Sequence, residues 1–261
     1  MTIRKAVEQT LNSGIKPIML DAQRVKNYEG EIEGVRTSLI IKSLALGTLT
    51  ANEYRFVARR TVQANGLVER NLEKLFYFFE DLKKEHEGAQ FFTISVYART
   101  LLGGELKRML LTEMSKHPNV DTTKITLEMS ADILFENMAE FGKEILEIKE
   151  LGFKIALCEV GSEFCPVLRL NEIPYDIVFL DGYVPNSIEI DGREQEMQAL
   201  MNIITTHPVK IYGSCVTKEQ IPLIEKLGAD GYTESEDEEL EEKDWFVGAK
   251  ETPTTFNSFN S

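Results

Sequence analysis

The 261-residue sequence predicts an α/β chain closed into a (β/α)8-type, TIM-like barrel. Three observations carry that expectation. Short apolar segments rich in β-branched residues recur eight times between residues 15 and 232. Most of the intervening stretches place apolar residues at helical spacing. Two successive buried segments, 153–157 and 176–180, run into Cys158-Glu159 and Asp181, the ends of parallel strands where α/β folds gather their chemistry. The repetition of strand then helix favours a closed barrel over an open doubly wound sheet.

Taken in order, residues 15–20 form a first strand, with Pro17 suited to a strand start or an edge. The polar turn KNYEG at 26–30 leads to a second strand at 32–41, antiparallel to the first. Thr50 starts a helix over 51–64, with Glu53 completing a capping box. Asn65-Gly66 breaks it, and a second helix over 68–85 turns Leu72, Leu75, Phe76, Phe79 and Leu82 to the core. Strands at 90–96 and 124–128 alternate with a helix at 98–116, which turns Leu101, Leu102, Leu106, Met109 and Leu110 inward, and a helix at 131–151, where Gly152 suits a C-cap. Cys158 to Gly161 reads as the turn leaving the strand at 153–157. A short apolar segment at 167–173 ends at Pro174 and precedes the strand at 176–180. Helices at 193–205 and 217–227, the latter capped by Thr217 and closed by Gly228, flank strands at 209–212 and 229–232.

Composition excludes several classes. At 43% hydrophobic and 28% charged, the chain can fill one large core, and about 250 residues is an ordinary size for one barrel. No apolar run approaches the ~18 residues of a membrane span, and Met1 opens no signal peptide. Cys158, Cys165 and Cys215 lack metal-ligand spacing and cannot all pair, so reduced thiols in a cytoplasm are expected. The formal charge is −14, and residues 234–244 hold eight acidic side chains and one lysine. That balance, with no compact Lys/Arg stripe, speaks against nucleic-acid binding. The expected organisation is a barrel over 1–233 and an acidic tail over 234–261 that carries Trp245. The tail's Trp245-Phe246-Val247 reads equally as a clasp on the barrel or as a partner motif.

LGFKIALCEVGSEF at 151–164 and YDIVFLDGY at 175–183 resemble the EAL family, bacterial phosphodiesterases that open cyclic di-GMP. KPIML at 16–20, LGTLTANEYRFVARRTVQANGLVERN at 46–71, TISVYARTL at 93–101, TLEMS at 126–130 and VTKEQIPLIEKLGADGYT at 216–233 are similar to further family stretches, in the same order. The resemblance implies a (β/α)8-type barrel whose first strand runs antiparallel to the rest. It also implies an activity that depends on divalent cations held by oxygen ligands.

Carried over residue by residue, the family's ligand set is mostly replaced. The glutamate of its name motif falls on Arg36 and the nucleotide-binding arginine on Ile40. The metal-binding asparagine falls on Ser95, the paired aspartates on Cys158 and Glu159, and the lysine on Phe179. Ala131, Val216 and Asp230 stand at three further family positions, the last beside the closing Gly-Tyr. Glu128 and Asp181 keep their identity. The resemblance with these replacements implies no catalytic residue, no metal and no cofactor. Arg36 is expected to take the cation's place and bond both Glu128 and Asp181. His86, His117 and His207 sit near helix ends or loops with no nucleophile beside them.

The functional expectation is a catalytically inactive EAL-like regulator that acts through a protein partner of unnamed identity, with homodimer formation left open. The alternative is a non-hydrolysing cyclic di-GMP receptor, weakened by Ile40, Phe179 and Asp230 where the family holds its ligand. A residual phosphodiesterase ranks third.

Overall fold

The computed structural model describes residues 2–12, 18–43, 45–59 and 61–235. The tail over 236–261, with Trp245, lies outside the described residues, as does Pro17.

The barrel is closed by eight strands: β1 (Ile18–Lys26), β2 (Ile32–Ser43), β4 (Phe91–Val96), β5 (Ile125–Ser130), β6 (Lys154–Val160), β7 (Ile177–Leu180), β8 (Lys210–Val216) and β9 (Gly231–Glu234). A short strand, β3 (Gly47–Leu49), adds to the outer part of β2. Strands β2 and β4 to β9 run parallel, while β1 is antiparallel to both β2 and β9. The β1–β2 hairpin is set by Asn27, whose side-chain oxygen accepts from the backbone N–H groups of Glu29 (3.1 Å) and Glu31 (2.8 Å). Closure requires Gly231, since a Cβ there would lie 2.1 Å from the Lys26 carbonyl oxygen.

Helices cover the outside. They are α1 (Ile3–Asn12), α2 (Ala51–Ala58), α3 (Gln63–Glu85), α4 (Ala98–Leu101), α5 (Glu105–Lys116), α6 (Met138–Glu150), α7 (Tyr183–Asp191), α8 (Glu194–Ile204) and α9 (Ile221–Leu227). Outward-facing strand residues such as Leu39, Phe92, Ile94 and Leu127 are fully buried against the helical faces, including Leu72, Leu75, Phe76 and Phe79 of α3. No helix among the described residues is long and apolar enough to cross a membrane.

Several sequence-based boundaries are corrected. The break between α2 and α3 falls before Gln63, and Asn65-Gly66 lie inside α3, where Gly66 leaves room for Leu11 of α1. The expected helix over 98–116 is split because Gly103 and Gly104 take left-handed backbone (φ 67° and 74°). Leu102, expected inside, is then 44% exposed. The expected helix over 131–151 starts as a 3₁₀ turn, Ala131–Phe135, before Asn137 caps α6 by accepting from the Ala139 N–H at 3.3 Å. The helix expected from Thr217 begins at Ile221. The first strand runs to Lys26 rather than ending at residue 20, and α1, β3 and α7 are additional elements. Strand β6 continues through Cys158 and Glu159, read from sequence as a turn.

Candidate functional site

Alternation along the strands sends one side chain in two into the barrel. The lower part of that interior is an apolar plug in which the Phe91, Phe179 and Tyr212 rings lie 5.7–6.4 Å apart. Val25, Ala156, Cys158 and Ile177 complete this cluster. Above it, at the C-terminal ends of the parallel strands, a cavity of about 600 Å³ opens. Arg36, Ser95, Glu128, Cys158, Glu159 and Asp181 all line it, as does Ile40. Phe179 forms its floor beneath Arg36.

Arg36 spans the cavity floor. Its Nε donates to Glu128 Oε2 at 3.0 Å and its Nη2 to Glu128 Oε1 at 2.5 Å, a two-pronged contact. Its Nη1 donates to Ser214 Oγ at 3.2 Å, and its Cζ stands 4.2 Å from the Phe179 ring centroid. The Arg36 side chain is 16% exposed and that of Glu128 is 6%. Burial by itself raises the pKa of Glu128, but the Arg36 charge and its hydrogen bonds outweigh that and hold the carboxyl below its ordinary value. Burial opposes the guanidinium charge too, and Glu128 more than restores it. Cys158 is pushed well up, by burial and then by the Glu128 and Glu159 carboxylates. The thiol is therefore a neutral, packed group.

The expected bond from Arg36 to Asp181 does not form; no hydrogen bond or ion pair joins them among the described residues. Asp181 stands just past β7, where its Oδ1 accepts from the Tyr183 N–H at 2.9 Å and sets the turn into α7. Ser214, missed from sequence, takes the third arginine contact instead. Ser95 sits in register beside Glu128 across β4 and β5.

Glu159 has a separate set of partners. Its carboxylate meets Arg55 Nη1 at 3.3 Å and Arg59 Nη1 at 3.5 Å, and accepts from Ser130 Oγ at 2.5 Å. Arg59 also meets Asp132 at 3.0 Å. Arg55 and Arg59 went unremarked in the sequence, although their i, i+4 spacing puts both on one helical face. Glu159 (φ 60°) and Cys215 (φ 52°) are the described non-glycine residues with positive φ, and both lie on this rim. A bulge accompanies each, between Leu157 and Val160 and between Gly213 and Val216.

Three residues carried over from the family lie away from the cavity. Asp230 sits at the opposite end of the barrel, where it accepts from Lys210 Nζ and the Ile211 N–H, both at 2.8 Å. Val216 is buried against Gly213 on the outer side of β8. Ala131 is buried at the start of its 3₁₀ turn.

A divalent cation, implied by the resemblance, does not fit these residues. No three His, Cys, Asp or Glu side chains among the described residues converge as a ligand set. Glu128 is committed to a guanidinium, Asp181 to a backbone amide and Glu159 to two arginines.

The EAL domain family model matches residues 16–233. The probable cyclic di-GMP phosphodiesterase PdeA of Escherichia coli (strain K12) is 22% identical over 230 residues, 87% of this chain and 30% of that protein. The cyclic di-GMP phosphodiesterase PdeA of Borreliella burgdorferi is 26% identical over 137 residues, 51% of this chain and 20% of that protein. The chain thus spans less than a third of the length of these relatives. Among solved structures, the FimX EAL domain of Pseudomonas aeruginosa bound to c-di-GMP superposes with a TM-score of 0.74 at 12% identity, covering 90% of this chain and 94% of that one. An EAL domain protein of Listeria monocytogenes EGD-e gives 0.72 at 16% identity, covering 89% and 90%. At such identities the likeness speaks to the fold. With the family match spanning most of the barrel, the chain belongs to the EAL domain family.

Proposed function

We propose that this EAL domain is a cytoplasmic regulator in bacterial cyclic di-GMP signalling that does not hydrolyse the nucleotide and works through a protein partner. The observation that carries the reading is the Arg36–Glu128 contact, which puts a fixed positive charge on a carboxylate that a metal would need. Phosphodiester hydrolysis on this scaffold needs water activated by a cation, and the other rim carboxylates among the described residues, Asp181 and Glu159, are already held by the Tyr183 amide and by Arg55 and Arg59.

The test is incubation with cyclic di-GMP and Mg²⁺ or Mn²⁺. The expected result is no linear dinucleotide above a no-protein control; product that depends on both metal and Glu128 overturns the reading. Calorimetric titration with cyclic di-GMP, with and without Mg²⁺, addresses the receptor alternative, which the cavity above Arg36 favours. No saturable binding in the micromolar range is expected, because Ile40 offers no fork of donors to a phosphate. A saturable isotherm at physiological salt replaces the partner reading with the receptor one.

A further inference from the structure

One wall of the cavity is helix α2 with its C-terminal cap, which contribute Tyr54, Arg55 and the capping Arg59 to its lining. The helix is anchored to the flank of the barrel by Tyr54, whose hydroxyl donates to the Leu39 carbonyl at 2.8 Å, and by buried Ala58. Its other attachment is ionic and crosses to different elements. Arg55 and Arg59 reach Glu159 at the end of β6, and Arg59 reaches Asp132 after β5.

Glu159 is the centre of this attachment, since it takes both arginines together with the Ser130 hydroxyl. It does so from a left-handed backbone that a glutamate adopts only when its surroundings hold it there. The clamp reaches the solvent boundary at Arg55, whose side chain is 37% exposed, while those of Arg59 and Glu159 are 15% and 17% exposed. Phe56, itself 51% exposed, stacks 4.6 Å from the Arg59 guanidinium and 5.5 Å from that of Arg55, outside the cavity. Cys158, next in sequence to Glu159, lines the same cavity at 8% exposure.

We infer that α2 is a lid over one side of the cavity, held shut by the clamp of Arg55 and Arg59 on Glu159. Release of the clamp lets the helix swing about its Tyr54 anchor, opening the cavity and Cys158 to solvent. The two attachments differ in kind, which is what makes a hinge: one is an uncharged hydrogen bond with apolar packing, insensitive to salt, and the other is charged and partly exposed. The inference is independent of what the cavity takes in.

Cys158 supplies the readout. Its rate of modification by a maleimide is followed peptide by peptide, separating it from exposed Cys215 and from Cys165. Raising the salt to about 1 M shortens the screening length to roughly 3 Å and should weaken the clamp in the unmodified protein. Cys158 labelling is then expected to rise roughly five- to thirtyfold, the range that loss of one modest interaction produces. The double variant Arg55→Gln, Arg59→Gln should show the raised rate at low salt, with little further response to salt. Glu159→Gln, which can keep the Ser130 hydrogen bond, should behave likewise. A Cys158 rate unmoved by salt in the unmodified protein overturns the lid, whether or not the variants fold. So does an equal acceleration of amide exchange in β4, which would mean that the whole barrel opens.

Discussion

The floor and the rim of the barrel interior are one layer of side chains apart and are held by different forces. The floor, with Phe91, Phe179 and Tyr212 at its centre, is close-packed and apolar apart from the Tyr212 hydroxyl, which donates to Glu33 at 2.6 Å. Its stabilisation scales with area removed from water and tolerates exchange of one apolar shape for another. The rim is built from charges. Taking Arg36 and Glu128 out of water costs several kcal/mol, and only a geometry that satisfies nearly every donor offsets it. Both described non-glycine residues with left-handed backbone also sit on the rim. A floor of this kind defines the fold, whereas a rim of this kind defines which partner each side chain must have.

Three substitutions sharpen the contrast. The largest effect is expected on the floor: Phe179→Ala, at a fully buried ring, should cost about 3–5 kcal/mol in chemical denaturation. A loss below about 1 kcal/mol would mean that the floor is loosely packed, and that the distinction from the rim is wrong.

Arg36→Ala comes next. It strands the Glu128 carboxylate, and with the arginine partly exposed the expected cost is about 2–4 kcal/mol at neutral pH. The pH dependence separates it from a packing defect. In the unmodified protein the folded-state pKa of Glu128 is lowered, so its contribution is complete above the unfolded value of about 4.3 and is lost as pH falls through the lower folded value. Without Arg36, burial alone raises that pKa, and the variant should gain stability as pH drops from 7 towards 5. Denaturation midpoints at several pH values check the sign; a variant that follows the unmodified protein in parallel counts against the pair.

The smallest effect is a gain. Cys215 is exposed with φ 52°, so Cys215→Gly should relieve left-handed strain and raise stability by about 0.5 kcal/mol after the glycine's own entropy is counted. A destabilised variant would show that the Cys215 side chain is held by contacts worth more than the strain.

The order of strands, the hairpin at the start and the buried faces of α3 and α5 were legible in the sequence, because period-2 and period-3.6 patterns report directly on which side of an element is buried. The Thr50–Glu53 cap was legible for the same reason, a local contact written in local spacing; the Thr50 N–H donates to Glu53 Oε2 at 2.7 Å. The meeting of Arg36 with Glu128 was legible only through the family resemblance, which sets both positions on one rim, and the contact forms. Elements punctuated by conformation were less so: the Gly103-Gly104 interruption and the strand that runs on through Glu159 depend on backbone angles that composition does not state.

What the sequence by itself determined is the barrel and the inward-facing set from which a site can be drawn. Which members of that set touch was decided by the tertiary structure. Asp181 is turned from Arg36 to the Tyr183 amide by the corner that begins α7, and Ser214 is carried into its place by the curl of β8. Glu159 is claimed by two arginines about 100 residues away, on a helix whose position over the rim is set by packing against the barrel flank. Partner choice among charges depends on distances of a few ångströms across a closed barrel, and those follow from strand stagger, bulges and helix docking, none of which leaves a periodic trace in the chain.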